Sequence, residues 1–287
     1  MKFGLIANVK RIGAEEAIKF FMSWSKASGN ELFVCDQLKG EFDSSLNYCK
    51  RSEFVDKVDI LVSMGGDGTM LSSARAVGSA GTPILGINLG SLGFLTQLTP
   101  QQLLPALDSI IKGEYSLEKR MLLQAEAVGI ENVESPFALN DIVIDNGPIS
   151  RLIDIKLSVN NEEIVTYKAD GLIISTATGS TAYSLAVGGP IMHPKMEGMI
   201  ASPISSFSLN TRPLIFSSDA ELEISVENEN HQAQVTIDGQ VMFPLVDTSK
   251  IKIKKADFYT QFIVFPESSF YQVLRNKLHW GFTPYEK

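Results

Sequence analysis

Cysteine is scarce: Cys35 and Cys49 are the only two in 287 residues. They form no C-x-x-C and nothing in the chain signals export, so both are read as ordinary reduced residues rather than as a structural disulfide. Histidine is nearly as rare. His193, His231 and His279 lie far apart, with no H-E-x-x-H and no other ligand spacing, which leaves no histidine-built metal centre. No apolar run approaches the roughly 18 residues of a membrane-spanning helix, so no membrane is expected as a partner. The apolar start, Met1 to Val9, is short and is interrupted by Lys10 and Arg11, which suits a first β-strand rather than a secretory signal, and a cytoplasmic location follows. A formal charge of −8 advertises no basic face, which argues against nucleic acid as the ligand. An anionic nucleotide would have to be captured by local groups. Two familiar phosphate loops are also missing: there is no G-x-x-x-x-G-K-[ST], and no G-x-G-x-x-G follows a strand.

What is present is ample core material, 44% hydrophobic residues, in a length that suits two domains. From residue 1 to 113 apolar strand candidates at Phe3 to Ala7, Leu32 to Cys35, Val58 to Ser63 and Pro83 to Ile87 alternate with helix-like stretches at Glu15 to Lys26 and Thr69 to Val77. That alternation predicts a parallel sheet covered by helices. A further helix over Pro100 to Lys112 has Pro near its start and Gly113 just past its end. From 114 to 266 short strands follow closely, including Leu122 to Val128, Ala138 to Ile144, Leu152 to Val159, Gly171 to Thr176, Gln234 to Ile237, Lys250 to Lys254 and Phe262 to Phe265. This pattern predicts an antiparallel sandwich or barrel. Asp238-Gly239 between two apolar triplets is a hairpin signal. Residues 267–287, rich in aromatics, are expected to pack back on the fold.

Two segments carry chemistry. In Met64-Gly65-Gly66-Asp67-Gly68-Thr69 a strand feeds a glycine turn that opens a helix, so backbone N–H groups converge where a phosphate would sit. Asp67 is out of place there unless it holds a cation or takes a proton from an attacking hydroxyl; taken alone, the turn is also compatible with ordinary turn chemistry. In Ala169 to Pro190 the dense hydroxyls of Ser175 to Ser184 offer donors to a phosphorylated or polyhydroxylated ligand, and Tyr183 offers a ring on which a base can lie. By itself this run is also compatible with a plain Ser/Thr-rich loop.

Gly65 to Thr69, Asn88 to Leu95, Leu139-Asn140-Asp141, Asp170-Gly171 and Thr178-Gly179-Ser180-Thr181-Ala182-Tyr183-Ser184 occur together and in the order found in the NAD kinase family, which the chain resembles over residues 58–265. The resemblance implies a Rossmann-like α/β amino-terminal domain, a β-sandwich carboxy-terminal domain, NAD in the cleft between them and a homo-oligomer, dimer or tetramer. It also implies transfer of the terminal phosphoryl of ATP to the 2′-hydroxyl of the adenosine ribose. By matching motifs, Asp67 and Gly68 fall at the catalytic turn, with Asp67 as general base. Asn140 and Asp141 fall at the ribose-contacting pair, with Asp141 in place of a usual Glu. Arg151, Lys168 and Asp170 match dinucleotide contacts. Thr181, Ala182, Tyr183, Ser184, Leu185 and Ala186 match the nucleotide loop, with Ala186 where serine is frequent and Ala177 where proline is. Gln240 matches a polar contact.

A ribose hydroxyl attacks phosphorus well only when its proton is removed as the bond forms, and the transfer itself demands positioning and charge neutralisation. A divalent cation, Mg²⁺, is therefore expected on the ATP phosphates; no dedicated ligand set is legible. Two rival readings remain open: a lipid or sugar kinase sharing the glycine-aspartate turn, and a non-catalytic dinucleotide sensor.

Overall fold

The computed structural model describes residues 1–90, 92–96, 98–126, 136–147, 152–227, 233–245, 250–266 and 269–280. The chain divides into two compact units, Met1–Lys119 with Thr260–Lys287, and Arg120–Tyr259.

The first unit runs β1 (Lys2–Ala7), α1 (Ala14–Ala27), β2 (Glu31–Cys35), β3 (Asn47–Cys49), α2 (Phe54–Lys57), β4 (Ile60–Gly65), α3 (Asp67–Val77), β5 (Ile84–Asn88) and α4 (Leu103–Lys112). Its strands are parallel in the order β3-β2-β1-β4-β5. The chain moves outward from β1 to β3 and then returns to the far side of β1 with β4, so the direction of winding reverses between β1 and β4. In such sheets ligands bind outside the carboxyl ends of the strands at this reversal. β4 and β5 are buried along their whole length, the mark of a parallel sheet covered on both faces. On one face Phe3, Leu5 and Val62 pack with Ile18 and Phe21 of α1 and with Leu103 and Leu107 of α4. On the other, α3 is tied to β4 by a buried hydrogen bond, Ser73 Oγ to Ser63 Oγ at 2.9 Å. The helix expected from Pro100 begins as a 3₁₀ turn, Pro100–Gln102, in a Thr99/Gln102 capping box, and ends on left-handed Gly113. Cys35 and Cys49 are free, buried neighbours across β2 and β3; burial pushes the Cys49 thiol up to about 11.

The second unit contains β6 (Ser116–Glu126, entering from the first), β7 (Phe137–Ala138), β8 (Asp141–Asp145), β9 (Ile153–Val159), β10 (Glu162–Ala169), β11 (Gly171–Thr176), α5 (Tyr183–Ala186), β12 (Gly198–Ile204), β13 (Leu214–Ser217), β14 (Leu222–Glu227), β15 (Gln234–Ile237), β16 (Val241–Pro244) and most of β17 (Lys250–Val264). One antiparallel sheet has the order β13-β12-β11-β8-β15-β16; β10, β9, β14 and β17 form the facing layer. Ile144, Ile174, Met199 and Val235 from the first layer share a core with Ile155, Leu157, Ile224 and Ile251 from the second, which makes the unit a β-sandwich.

The expected strands Lys250 to Lys254 and Phe262 to Phe265 fall largely within one long strand. β17 pairs with β14 at its start, and its Phe262 pairs in parallel with Ile84 of β5 in the first unit. α6 (Phe270–Leu278) follows, capped by the Ser269 hydroxyl. Among the described residues no helix is long and apolar enough to cross a membrane.

Candidate functional site

In the first unit β4 ends at Gly65, Gly66 is extended, and α3 opens on Asp67, all at the carboxyl edge where the winding reverses. The Asp67 carboxylate is held in a fixed pose. Its Oδ2 accepts the Phe94 N–H and its Oδ1 the Leu95 N–H, both at 3.0 Å. A Cβ on Gly93 would overlap Asp67 Oδ1, so only glycine lets the second loop close onto the carboxylate this tightly. The sequence reading allowed the carboxylate two roles, base or cation holder; organising the 93–95 loop is a third. The two bonds use one lone-pair direction on each oxygen and leave the others for an approaching hydroxyl.

The second unit builds its half around Asp238. Asp238 and Gly239 have φ of 50° and 62° in a tight turn closed by Gln240 N–H to the Ile237 carbonyl at 2.9 Å, the hairpin expected from Asp-Gly. The buried Asp238 carboxylate then accepts three backbone N–H groups: Leu139 at 3.0 Å, Asn140 at 2.7 Å and Asp141 at 3.2 Å. The Asn140-Asp141 pair is therefore posed by a residue almost a hundred positions away, a role that sequence reading missed, since Asp-Gly there signalled only a hairpin. Asp141 is itself buried. Burial first, and the neighbouring Asp238 charge second, push its carboxyl up to about 7, against the opposing hydrogen bond from the Tyr183 N–H.

Between about pH 4 and 7 the folded protein keeps this proton while the unfolded chain has lost it, so the group's contribution to stability falls as pH rises through that window. Asp141→Asn is expected to remove the effect. The stability difference between parent and variant, from denaturant titrations at pH 5 and pH 7, should shift in the variant's favour at pH 7, by up to about 1.4 kcal/mol per pH unit. A difference independent of pH would place the titration elsewhere.

The hydroxyl-rich run behaves differently from expectation, because most of its hydroxyls are spent inside the turn. Thr176 Oγ1 donates to the Leu139 carbonyl at 2.6 Å and accepts the Gly179 N–H at 3.0 Å. Ser180 Oγ donates to the Ala177 carbonyl at 2.7 Å and accepts the Met192 N–H at 3.0 Å, and buried Ser184 shares a bond with Ser202 Oγ at 3.0 Å. A Cβ on Gly179 would overlap the Asn140 carbonyl oxygen, so glycine is what brings this turn against the Asn140-Asp141 pair. Thr181, Ala182 and Leu185 are half-buried and Ala186 is exposed. Tyr183 stands 45% exposed while its backbone N–H serves Asp141.

Removing the ring leaves that N–H in place. Tyr183→Ala is accordingly expected to weaken dinucleotide binding by about 1–3 kcal/mol, the range for base stacking, with an unchanged melting temperature; an unchanged dissociation constant would assign the ring no contact with the base.

Asn140, Asp141, residues 176–186 and the 238–240 hairpin thus converge. Lys168 and Asp170 do not join them: Asp141 pairs with Ser175 at one end of β11, whereas Asp170 precedes Gly171 at the other, about 17 Å away at strand rise. Arg151 lies outside the described residues. Gln240 is exposed beside the Asp238 turn.

The first unit thus carries a carboxylate fixed in a glycine turn, and the second a polar turn with an exposed aromatic ring. Family models described as the ATP-NAD kinase N-terminal and C-terminal domains match residues 3–115 and 139–265. The chain is 39% identical over 280 residues to the NAD kinase of Geotalea daltonii, covering 97% of each, and 40% identical over 278 residues to that of Caldanaerobacter subterraneus subsp. tengcongensis, covering 96% of this chain and 98% of the other. Among solved structures, an NAD kinase from Archaeoglobus fulgidus in complex with ATP superposes with a TM-score of 0.78 at 26% identity, covering 97% of this chain and 99% of that one. Yeast NADH kinase complexed with NADH shares the fold at a TM-score of 0.89 and 22% identity, covering 100% and 90%. The chain belongs to the NAD kinase family.

Proposed function

We infer that the protein transfers the terminal phosphoryl of ATP to the 2′-hydroxyl of the adenosine ribose of NAD, with Asp67 as general base. The observation that carries the base assignment is the fixed pose of the Asp67 carboxylate on the Phe94 and Leu95 amides, at the edge of the sheet where its winding reverses. As the 2′-oxygen bonds to the γ-phosphorus, its proton passes to Asp67 and the bond to the leaving β-phosphate oxygen breaks, giving NADP and ADP. The positive end of α3, which opens at Asp67 behind the Gly65-Gly66 turn, faces the phosphates. Within the second unit Asn140 and Asp141 are assigned to the ribose hydroxyls, Tyr183 to stacking on a base and Thr181 to Ala186 to nucleotide contacts; Gly68 of the first unit is assigned to the catalytic turn beside Asp67.

Among the described residues no three His, Cys, Asp or Glu side chains converge into a metal cage. A Mg²⁺ ion arriving with the ATP phosphates would meet the Asp67 carboxylate at the turn and would need no cage of protein ligands. When bound, that ion neutralises charge on the transferring group.

Arg151 and Gln240 are assigned to dinucleotide contacts, Lys168 and Asp170 to contacts with a part of the dinucleotide remote from the Asn140-Asp141 pair, and the location to the cytoplasm. A homo-oligomer is proposed as well: Phe207 and Leu209 stand 74% and 91% exposed in a segment anchored by Phe207 N–H to the Lys168 carbonyl at 2.8 Å, so an apolar surface adjoins Lys168. Light scattering above the 31.4 kDa monomer tests it.

Incubation with ATP, Mg²⁺ and NAD, with the product identified by phosphorus NMR as the 2′-phosphate, tests the reaction. Absence of NADP, with a lipid or sugar phosphorylated instead, would favour the rival kinases.

A further inference from the structure

A chain of net charge −8 must collect a triphosphate with local cations, yet the residue at the heart of its phosphate turn is an aspartate. The loop between β1 and α1 supplies the missing charge. We propose that Arg11 clamps the triphosphate of ATP against the Gly65-Gly66 turn and neutralises the phosphoryl group as it leaves for the ribose, a role that rests on the ATP-dependent reading above.

Three observations carry this. First, the loop is tied to the turn: Asn8 N–H donates to the carbonyl of Met64, the residue before Gly65, at 2.9 Å. Arg11 is pinned within it from both sides, its N–H donating to the Asn8 carbonyl at 3.3 Å and its carbonyl accepting the Ala14 N–H at 3.1 Å, while Asn8 Oδ1 takes the Lys10 N–H at 3.1 Å. Second, the guanidinium reaches the turn itself. A Cβ built on Gly66 would stand 3.8 Å from Arg11 Nη2, so the cation lies against bare backbone next to Asp67. Third, the exposed Arg11 side chain makes no hydrogen bond or ion pair among the described residues, and the Asp67 carboxylate is turned to the Phe94 and Leu95 amides instead. An unneutralised guanidinium fork beside a phosphate-binding turn matches two phosphate oxygens in geometry and in charge. Both segments lie at the carboxyl ends of β1 and β4, where the winding reverses. The γ-phosphoryl has to reach the hydroxyl that Asp67 deprotonates, and Gly66 is the residue before Asp67; this favours the triphosphate over the pyrophosphate of NAD as the anion held.

The test is steady-state kinetics of parent, Arg11→Ala and Arg11→Lys, varying ATP at saturating NAD and NAD at saturating ATP, with calorimetric titration of ATP·Mg²⁺ into each. Arg11→Ala is expected to lower kcat/KM for ATP by about 10- to 10³-fold, through both KM and kcat, as the loss of charge-assisted contacts to a transferring phosphoryl predicts. KM for NAD should stay within about threefold of the parent and the melting temperature should not move, since the side chain is exposed. Arg11→Lys should fall between, keeping the charge and losing the fork. Retention of kcat/KM for ATP within threefold overturns the clamp, as does a loss confined to the KM for NAD. If the parent forms no NADP, the ATP titrations still decide: weakened binding in Arg11→Ala supports the clamp, and equal binding refutes it.

Discussion

Replacing Asp238 by alanine is expected to destabilise the antiparallel unit by roughly 2–6 kcal/mol, from about 1–3 kcal/mol for each of the two buried donors, Leu139 N–H and Asp141 N–H, that it strands. Asp238 also sits at φ of 50°, where a Cβ without a local polar partner adds strain. Asp238→Asn tolerates that conformation and keeps one acceptor oxygen, so it should fall between alanine and parent. The loss should reach function, because the same three bonds pose Asn140 and Asp141: affinity for NAD should drop in both variants at temperatures where they remain folded. With the Asp238 charge gone, the Asp141 carboxyl should also titrate below about 7, since that charge is the second cause of its elevation. Denaturant titration, NAD calorimetry and a pH series of Asp141 carbon shifts by NMR check the three effects. A variant as stable as the parent, with unaltered NAD binding, would show that the Asn140-Asp141 pair is posed by its strand alone.

Much of the frame is legible along the chain because it is local. β11 lies at Gly171–Thr176 and β15 at Gln234–Ile237, as their apolar patterns predict, and the Asp238-Gly239 turn follows from the left-handed backbone those residues tolerate. Alternation in Leu152 to Val159 and in Lys250 to Lys254 marks wet faces, where Lys156 pairs with Glu163, Lys252 with Glu221 and Lys254 with Glu126. Three strands escape that logic, the three-residue β3 among them. β12 is buried on both faces and so shows no alternation, and it carries Gly198 and Pro203, poor strand formers; Pro203 lies past Ala201, the last residue paired with β13. β10 is an edge strand that buries only Tyr167 and Ala169 and so lacks a clear apolar face. The parallel pairing of Phe262 with Ile84 joins residues far apart in the chain, which no local pattern encodes.

The site divides in the same way. Asp67, Asn140, Asp141 and Tyr183 are legible as residue types in motifs. What poses them is not, because each support comes from a backbone or carboxyl group distant in sequence: Phe94 and Leu95 for Asp67, and Asp238 for Asn140 and Asp141. The hydroxyl density of Ser175 to Ser184 signalled ligand donors, and much of it serves to hold the turn. Composition counts hydroxyls; burial decides which of them remain available.

Asp67→Asn is expected to leave NAD bound and to slow turnover by about 10²- to 10⁴-fold, the contribution of a positioned general base. The substitution preserves size but cannot accept the ribose proton. It also sets an amide NH₂ against one of the two backbone donors, Phe94 N–H or Leu95 N–H, which should cost about 1–3 kcal/mol locally. Kinetics are therefore best taken well below the melting temperature, where that cost leaves the protein folded. The most direct measurement is the single-turnover rate of NADP formation in parent and Asp67→Asn at saturating ATP, Mg²⁺ and NAD, with NAD affinity measured by calorimetry on the same samples. The account predicts a rate lower by at least two orders of magnitude with NAD affinity within a few-fold of the parent. A variant that turns over within a few-fold of the parent while binding NAD equally well would contradict it.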